Sequence, residues 1–328
     1  MRIALCALLL SAVIVLGAAA SSSAAGLRLF SKHSVFNERL PRVVALAPDS
    51  AALVRSFVHQ VRTHSGHVVI NTTRWSAPVY VVGPEQPPVA MLGVSSICPR
   101  PGGVFSGFRE LIQAVPIPAG ALPAQGSDKE AIVWQPSSGH LWELWRVLSE
   151  AGRWTACWGG EIENAYVSDG VFPAPFGAGA SGLSLLGGQI HIEDLEHRAI
   201  YHALEVLLPD TASSGFVWPA DRSDGVSDAP DAIPEGTRFR FSPRLDVARL
   251  HITPAAREIV MAIQRYGMIV GDTGGEVALS AQDPSPLIAE GRPNPYSWLL
   301  GGDPYDALDG VPWRLLAAVS PQHPSGRF

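Results

Sequence analysis

QPSSGHLWELWRVL, residues 135–148, decides the fold class. Pro136, the serines and Gly139 are turn formers, and beyond them HLWELW alternates along the chain. Alternation of this kind puts Leu141, Glu143 and Trp145 on one face of a strand and His140, Trp142 and Leu144 on the other. Short runs of the same type recur outward from it: HVVIN (67–71), PVYVV (78–82), VAMLGV (89–94), AIVWQ (131–135) and RWTACW (153–158). Each is bounded by Gly, Pro, Ser or Asn, as strands are. Strands this short and this often punctuated predict a mostly β chain with peripheral helices, an α+β arrangement built on an antiparallel, jelly-roll-like β-sandwich.

The helices are fewer. AALVRSFVHQVRTH (51–64) repeats Leu53, Phe57 and Val61 at helical spacing. TPAAREIVMAIQRYG (253–267) has Thr253 for an N-cap, Pro254 for the first helical position and Gly267 for the left-handed residue past the end. IEDLEHRAIYHALEVLLP (192–209) reads as a third helix, with Leu195, Ala199, His202 and Val206 on one face. MIVGDTGGEVALS (268–280) reads as a hairpin turning at Thr273, Gly274 and Gly275, and SDGVSDAPDAIPEG (223–236) as an exposed loop.

The N-terminus has the layout of a secretory signal peptide over residues 1–25: Arg2, an apolar run from Ile3 to Leu16, then small residues. A single β-rich domain over 26–328 follows, expected to be secreted and free of the membrane. Export permits one disulfide between the two remaining cysteines, Cys98 and Cys157. With 47% hydrophobic residues a large core is available. Charged residues make up only 16%, and the formal charge is −6 without a basic stripe, which argues against a nucleic-acid partner. GxSxG, HExxH, Walker A and GxGxxG motifs are all missing, and GAGASGLS (177–184) only approximates the first.

What remains is a chain rich in tryptophan and carboxylates. Indole planes stack on sugar rings, and a pair of carboxyl groups hydrolyses glycosidic bonds. The expected catalytic set is therefore Glu143 with Glu163 or Asp272 as the second acid, and His202 as a base or orienting residue. Trp142, Trp145, Trp218 and Arg222 are the expected substrate contacts. The expected partner is an extracellular polysaccharide or cell-wall glycan. A non-catalytic glycan-binding protein and a polysaccharide lyase using Arg222 to neutralise a carboxylate are the rivals. His191, Glu193 and His197 form a loose metal-like set, but no metal and no cofactor is expected.

The blocks IVWQPSSGHLWELW, WGG, ASGLSLLGG, HALEVLLP, WPADRSDG, PEGTRFRF and QRYGMIVGD, in this order, resemble a functionally uncharacterised family of secreted bacterial proteins found in actinobacteria and other soil organisms. That resemblance covers most of the chain beyond residue 25. It implies export and a shared fold, and it assigns no reaction.

Overall fold

The computed structural model describes residues 29–89, 98, 107–150 and 153–321. The expected signal peptide, residues 1–25, lies outside the described residues, as does most of VAMLGV.

Helix α1 (Ser50–His64) leads into β1 (Val69–Asn71) and β2 (Val79–Val81). A short α2 (Phe108–Leu111) precedes β3 (Ala131–Gln135), β4 (His140–Trp145), β5 (Leu148–Glu150), β6 (Arg153–Thr155) and β7 (Trp158–Ile162). Then come α3 (Leu185–Gly188), α4 (Ile192–Glu196), β8 (Leu204–Leu208), β9 (Thr211–Phe216), β10 (Ile233–Glu235) and β11 (Arg238–Phe241). The chain continues through α5 (Pro254–Arg265), β12 (Met268–Thr273), β13 (Ala278–Ser280), α6 (Ser285–Ala289), α7 (Tyr296–Leu299) and β14 (Leu316–Val319).

Two open sheets carry the architecture. The larger has the strand order β1-β13-β8-β12-β11-β14, and the smaller β2-β3-β4-β7. On one face of the larger sheet Leu204, Val206, Val270, Phe239 and Leu279 meet Phe57 of α1 and Ile259 and Ile263 of α5 in one apolar cluster. From its other face Ile269 joins Val79, Ile132, Trp134 and Leu141 of the smaller sheet. The far face of the smaller sheet packs Val133, Trp142 and Leu144 against Phe108 and Trp154. The layers are therefore helices, sheet, sheet. Each fully buried Leu, Ile or Phe in them contributes about 1.5–3 kcal/mol of transfer free energy.

The mostly β class with helices is as expected, and Cys98 and Cys157 are bonded, with Cα atoms 5.4 Å apart. Helix α5 also forms as read: Thr253 Oγ1 accepts the Ala256 N–H at 3.1 Å, and Gly267 takes φ +85°. Three expectations need correction. The pairing is mixed rather than antiparallel throughout, because β1 with β13, β8 with β12 and β2 with β3 are parallel. The long helix over 192–209 is instead α4 and β8. Arg198 at φ +52° follows α4, and Leu204, Val206 and Leu208 alternate into the core as strand residues. The MIVGDTGGEVALS hairpin does not close, because β8 lies between β12 and β13 and pairs with both. Neither Gly274 nor Gly275 takes the positive φ such a turn needs.

Candidate active site

The alternation of β8 sets up the site. Leu204, Val206 and Leu208 face the helical layer, so Glu205 and Leu207 face the smaller sheet. Its parallel partner β12 keeps step from Met268 to Val270 and then slips: Val270 pairs with Val206, but Asp272 pairs with Leu207. Gly271 is the extra residue. A bulge of this kind re-aims the side chain that follows it. Without it Asp272 would oppose Leu208 and point into the aliphatic core; with it Asp272 shares the face of Leu207. Glycine leaves room at the slip for Glu205: a Cβ on residue 271 would stand 1.9 Å from Glu205 Oε1, so any larger residue would push the Glu205 side chain out of place.

Asp272 and Glu205 open into a cavity of about 300 Å³ between the two sheets. Asp128, Glu130 and Asp224 add three more carboxyl groups to its lining. Trp75, Trp145 and Trp158 supply aromatic walls. Trp158 is braced by Phe108 and Phe176, its ring centroid 5.0 and 5.6 Å from theirs. Trp145 carries the Arg146 guanidinium over its ring at 4.5 Å and directs Nε1 toward Asp128 Oδ1 at 3.4 Å. The glycine-rich segment GAGASG forms another wall through Ala178, Gly179 and Ala180. Arg222 holds that segment, donating to the carbonyls of Phe176 at 2.8 Å and Gly179 at 3.2 Å and pairing with Asp221 at 3.0 Å.

Crowded carboxyl groups in a half-closed space hold protons. Burial, and then the neighbouring Asp224 charge, push Asp272 up to about 7, against the opposing N–H groups of Ala180 and Thr273. Burial and the charges of Asp272, Glu143 and Glu130 push Glu205 well above the carboxylate range. Glu130 is raised by burial, with Asp128 the next cause. Behind the rim, buried Glu235 is pushed up to about 10, by burial first and then by the neighbouring Asp224. Asp224 accepts from Thr273 Oγ1 at 2.8 Å. Two buried polar groups on the cavity wall find no partner among the described residues: Glu205 Oε1 and both amide atoms of Gln189.

Only part of the expected set meets here. Asp272, Trp145 and Arg222 line the cavity. Glu163 and Trp218 line a separate, wider groove with Asp169 and Phe172. Glu143 is fully buried and lines neither; it is a structural anchor rather than a catalytic acid. Its carboxylate accepts from Ser184 Oγ at 2.6 Å, Leu185 N at 2.9 Å and Leu186 N at 3.0 Å, so it fixes the first turn of α3 to β4. Trp142 is also buried, stacked on the His140 ring at 3.8 Å. His202 is 6% exposed and uses both ring nitrogens internally, toward Ala203 O and Asp194 Oδ2. The loose set His191, Glu193 and His197 does not converge either: Glu193 and His197 pair on the exposed side of α4, while His191 turns inward to Asp194.

Asp128, Glu130, Gln189, Glu205, Asp224, Trp75 and Trp158 line the cavity and lie outside the set expected from the sequence. Glu205 carried a usable signal, being the lone acid in the apolar run ALEVLL. Read with period two, it falls on the face opposite Leu204 and Val206. Comparisons with protein-family models, with curated proteins and with solved structures gave no match. Among the described residues no helix is long and apolar enough to cross a membrane.

Proposed function

We propose that this chain is a secreted glycoside hydrolase acting on an extracellular glycan, with the reaction moved from Glu143 to the cavity carboxyl groups. The observation that carries the proposal is the convergence of Asp272, Asp224 and Glu205 with Trp75, Trp145 and Trp158 on one small cavity. Asp272, raised to about 7, holds a proton in mildly acidic solution and is the general acid that protonates the leaving oxygen. Asp224 accepts from Thr273 and is the carboxylate partner, activating water or attacking the anomeric carbon. The tryptophans offer flat apolar surfaces to sugar faces. Gln189 and Glu205 offer unpaired polar atoms to hydroxyl groups, each of which otherwise costs about 1–3 kcal/mol when buried. The cavity lies at the low end of the ~300–1,000 Å³ typical of ligand sites, which suits one or two sugar units at a chain end.

The test is a panel of reducing-end-labelled oligosaccharides and aryl glycosides, treated with wild type, Asp272→Asn and Asp224→Asn. Release of a sugar by wild type, lost in both variants, supports the proposal. A product with a new double bond and ultraviolet absorbance would favour the lyase alternative, in which Arg222 neutralises a uronate. Retention on glycans without any product would favour a binding module.

A further inference from the structure

Two histidines below the cavity share an unusual arrangement. His191 precedes α4 and His202 precedes β8, and both are nearly sealed from solvent. His191 Nε2 lies 2.8 Å from Leu186 O, and His202 Nδ1 lies 2.9 Å from Ala203 O. A carbonyl oxygen only accepts, so each of these nitrogens carries the ring's N–H. That leaves His191 Nδ1 and His202 Nε2 as the lone-pair nitrogens of neutral rings. Both face the same atom, Asp194 Oδ2, at 3.2 and 3.1 Å. Two lone pairs and a carboxylate oxygen pointed at one another repel unless a further ring proton or a metal ion lies among them.

We propose that His191 Nδ1, His202 Nε2 and the Asp194 carboxylate form a buried site for a divalent transition metal, zinc by ligand type. The three ligand atoms lie within 4.8 Å of one another. A tetrahedral zinc site with bonds of about 2.0–2.1 Å sets neighbouring ligand atoms about 3.3 Å apart, close to the two nitrogen–oxygen distances here. Metal-bound histidines donate their other N–H to a carbonyl or carboxylate, which fixes tautomer and ring orientation; both rings already do so. Two imidazoles and one carboxylate suit zinc better than calcium or magnesium, which prefer oxygen. The carboxylate is held in place independently, since Asp194 Oδ2 also accepts the backbone N–H of His191 at 3.0 Å.

The site has a structural task. It clips together the two ends of the segment 191–202. Gln189 lies just before that segment and Glu205 just after it, and both line the cavity. The site does not depend on what the cavity binds.

The experiment uses the untagged full chain. Metal is measured by mass spectrometry after purification, after stripping with a chelator, and after re-addition of Zn²⁺. About one zinc per chain is expected on re-addition, with a rise in Tm over the stripped protein. Co²⁺ in its place should give the visible absorption of a four-coordinate site. In His191→Gln and Asp194→Asn, zinc retained after desalting should fall to about a tenth of an equivalent or less. The proposal is overturned if stripped wild type gains neither zinc nor Tm. Two doubly protonated imidazolium rings on Asp194 would then be the remaining explanation, visible in their nitrogen chemical shifts. It is equally overturned if both variants fold and keep their zinc. If the variants do not fold, the wild-type titration and the cobalt spectrum decide.

Discussion

Asp272 and Glu143 are both raised to about 7, yet their surroundings assign them different work. Asp272 meets the cavity, whereas Glu143 meets only a hydroxyl and two backbone N–H groups. Asp272→Asn should lower turnover at least about 100-fold in a protein that stays folded, measured on whichever glycoside the panel identifies. With Asp272 as the acid, wild-type rate should also decline as pH rises through about 7, where its proton is lost. Glu143→Ala should behave in the opposite sense. It strands the donors at the start of α3 and should cost about 2–4 kcal/mol in denaturant unfolding, while the folded fraction keeps more activity than Asp272→Asn. The alternation of HLWELW gave Glu143 its face correctly. Alternation cannot say whether a face looks onto solvent or onto a helix end, and here Ser184, forty-one residues further on, closes it.

Among the elements, the bulge at Gly271 matters most. Gly271→Ala would drive a methyl group into the Glu205 carboxyl, so it should cost about 1–3 kcal/mol and impair turnover together, with Asp272 and Glu205 displaced. Retained activity in a stable Gly271→Ala protein would show that the bulge does not position the site. MIVGD was legible as a strand and its Asp as a candidate acid. The slip that turns that Asp toward the cavity was not, because register lives in the partner strand. The same reason explains the false helix over 192–209. Leu195, Ala199 and Val206 do match a helical stripe, but β8 gains two strand neighbours, and burial in a central strand outweighs propensity. Helix α5 is legible in the sequence because its caps are local, coded by Thr253, Pro254 and Gly267 themselves.

For the whole molecule, a cluster of acids with raised pKa values sets the pH dependence of stability. Each such group binds its proton more tightly folded than unfolded. Its contribution is complete below the unfolded value and fades as pH climbs to the folded one. For Asp272 that window runs from 3.8 to about 7, for Glu143 from 4.5 to about 7 and for Glu235 from 4.5 to about 10. Asp194, held low against its burial by the positive charge that faces it from the His191 and His202 side, works the other way below the ordinary aspartate value of 3.8. Above about pH 4 the raised group prevails, so Tm should fall by at least about 3 °C between pH 5 and 8. Asp272→Asn should flatten the slope, and a flat wild-type profile would contradict the proton-holding cluster. At this scale the class was legible from strand punctuation. The cavity was not, since its five carboxyl groups come from four separate segments between Asp128 and Asp272 that only the stacking of two sheets brings together.

The Cys98–Cys157 bridge has a practical corollary. Cys157 immediately precedes Trp158, so a covalent strap is fastened beside one wall of the cavity. Polypeptide made where thiols stay reduced lacks that strap, worth about 2–5 kcal/mol in proteins of this kind, and its aromatic wall is left slack. The same gene product would then come in two grades. A negative assay on material from a reducing cytoplasm speaks to the thiol state of the preparation before it speaks to the chemistry.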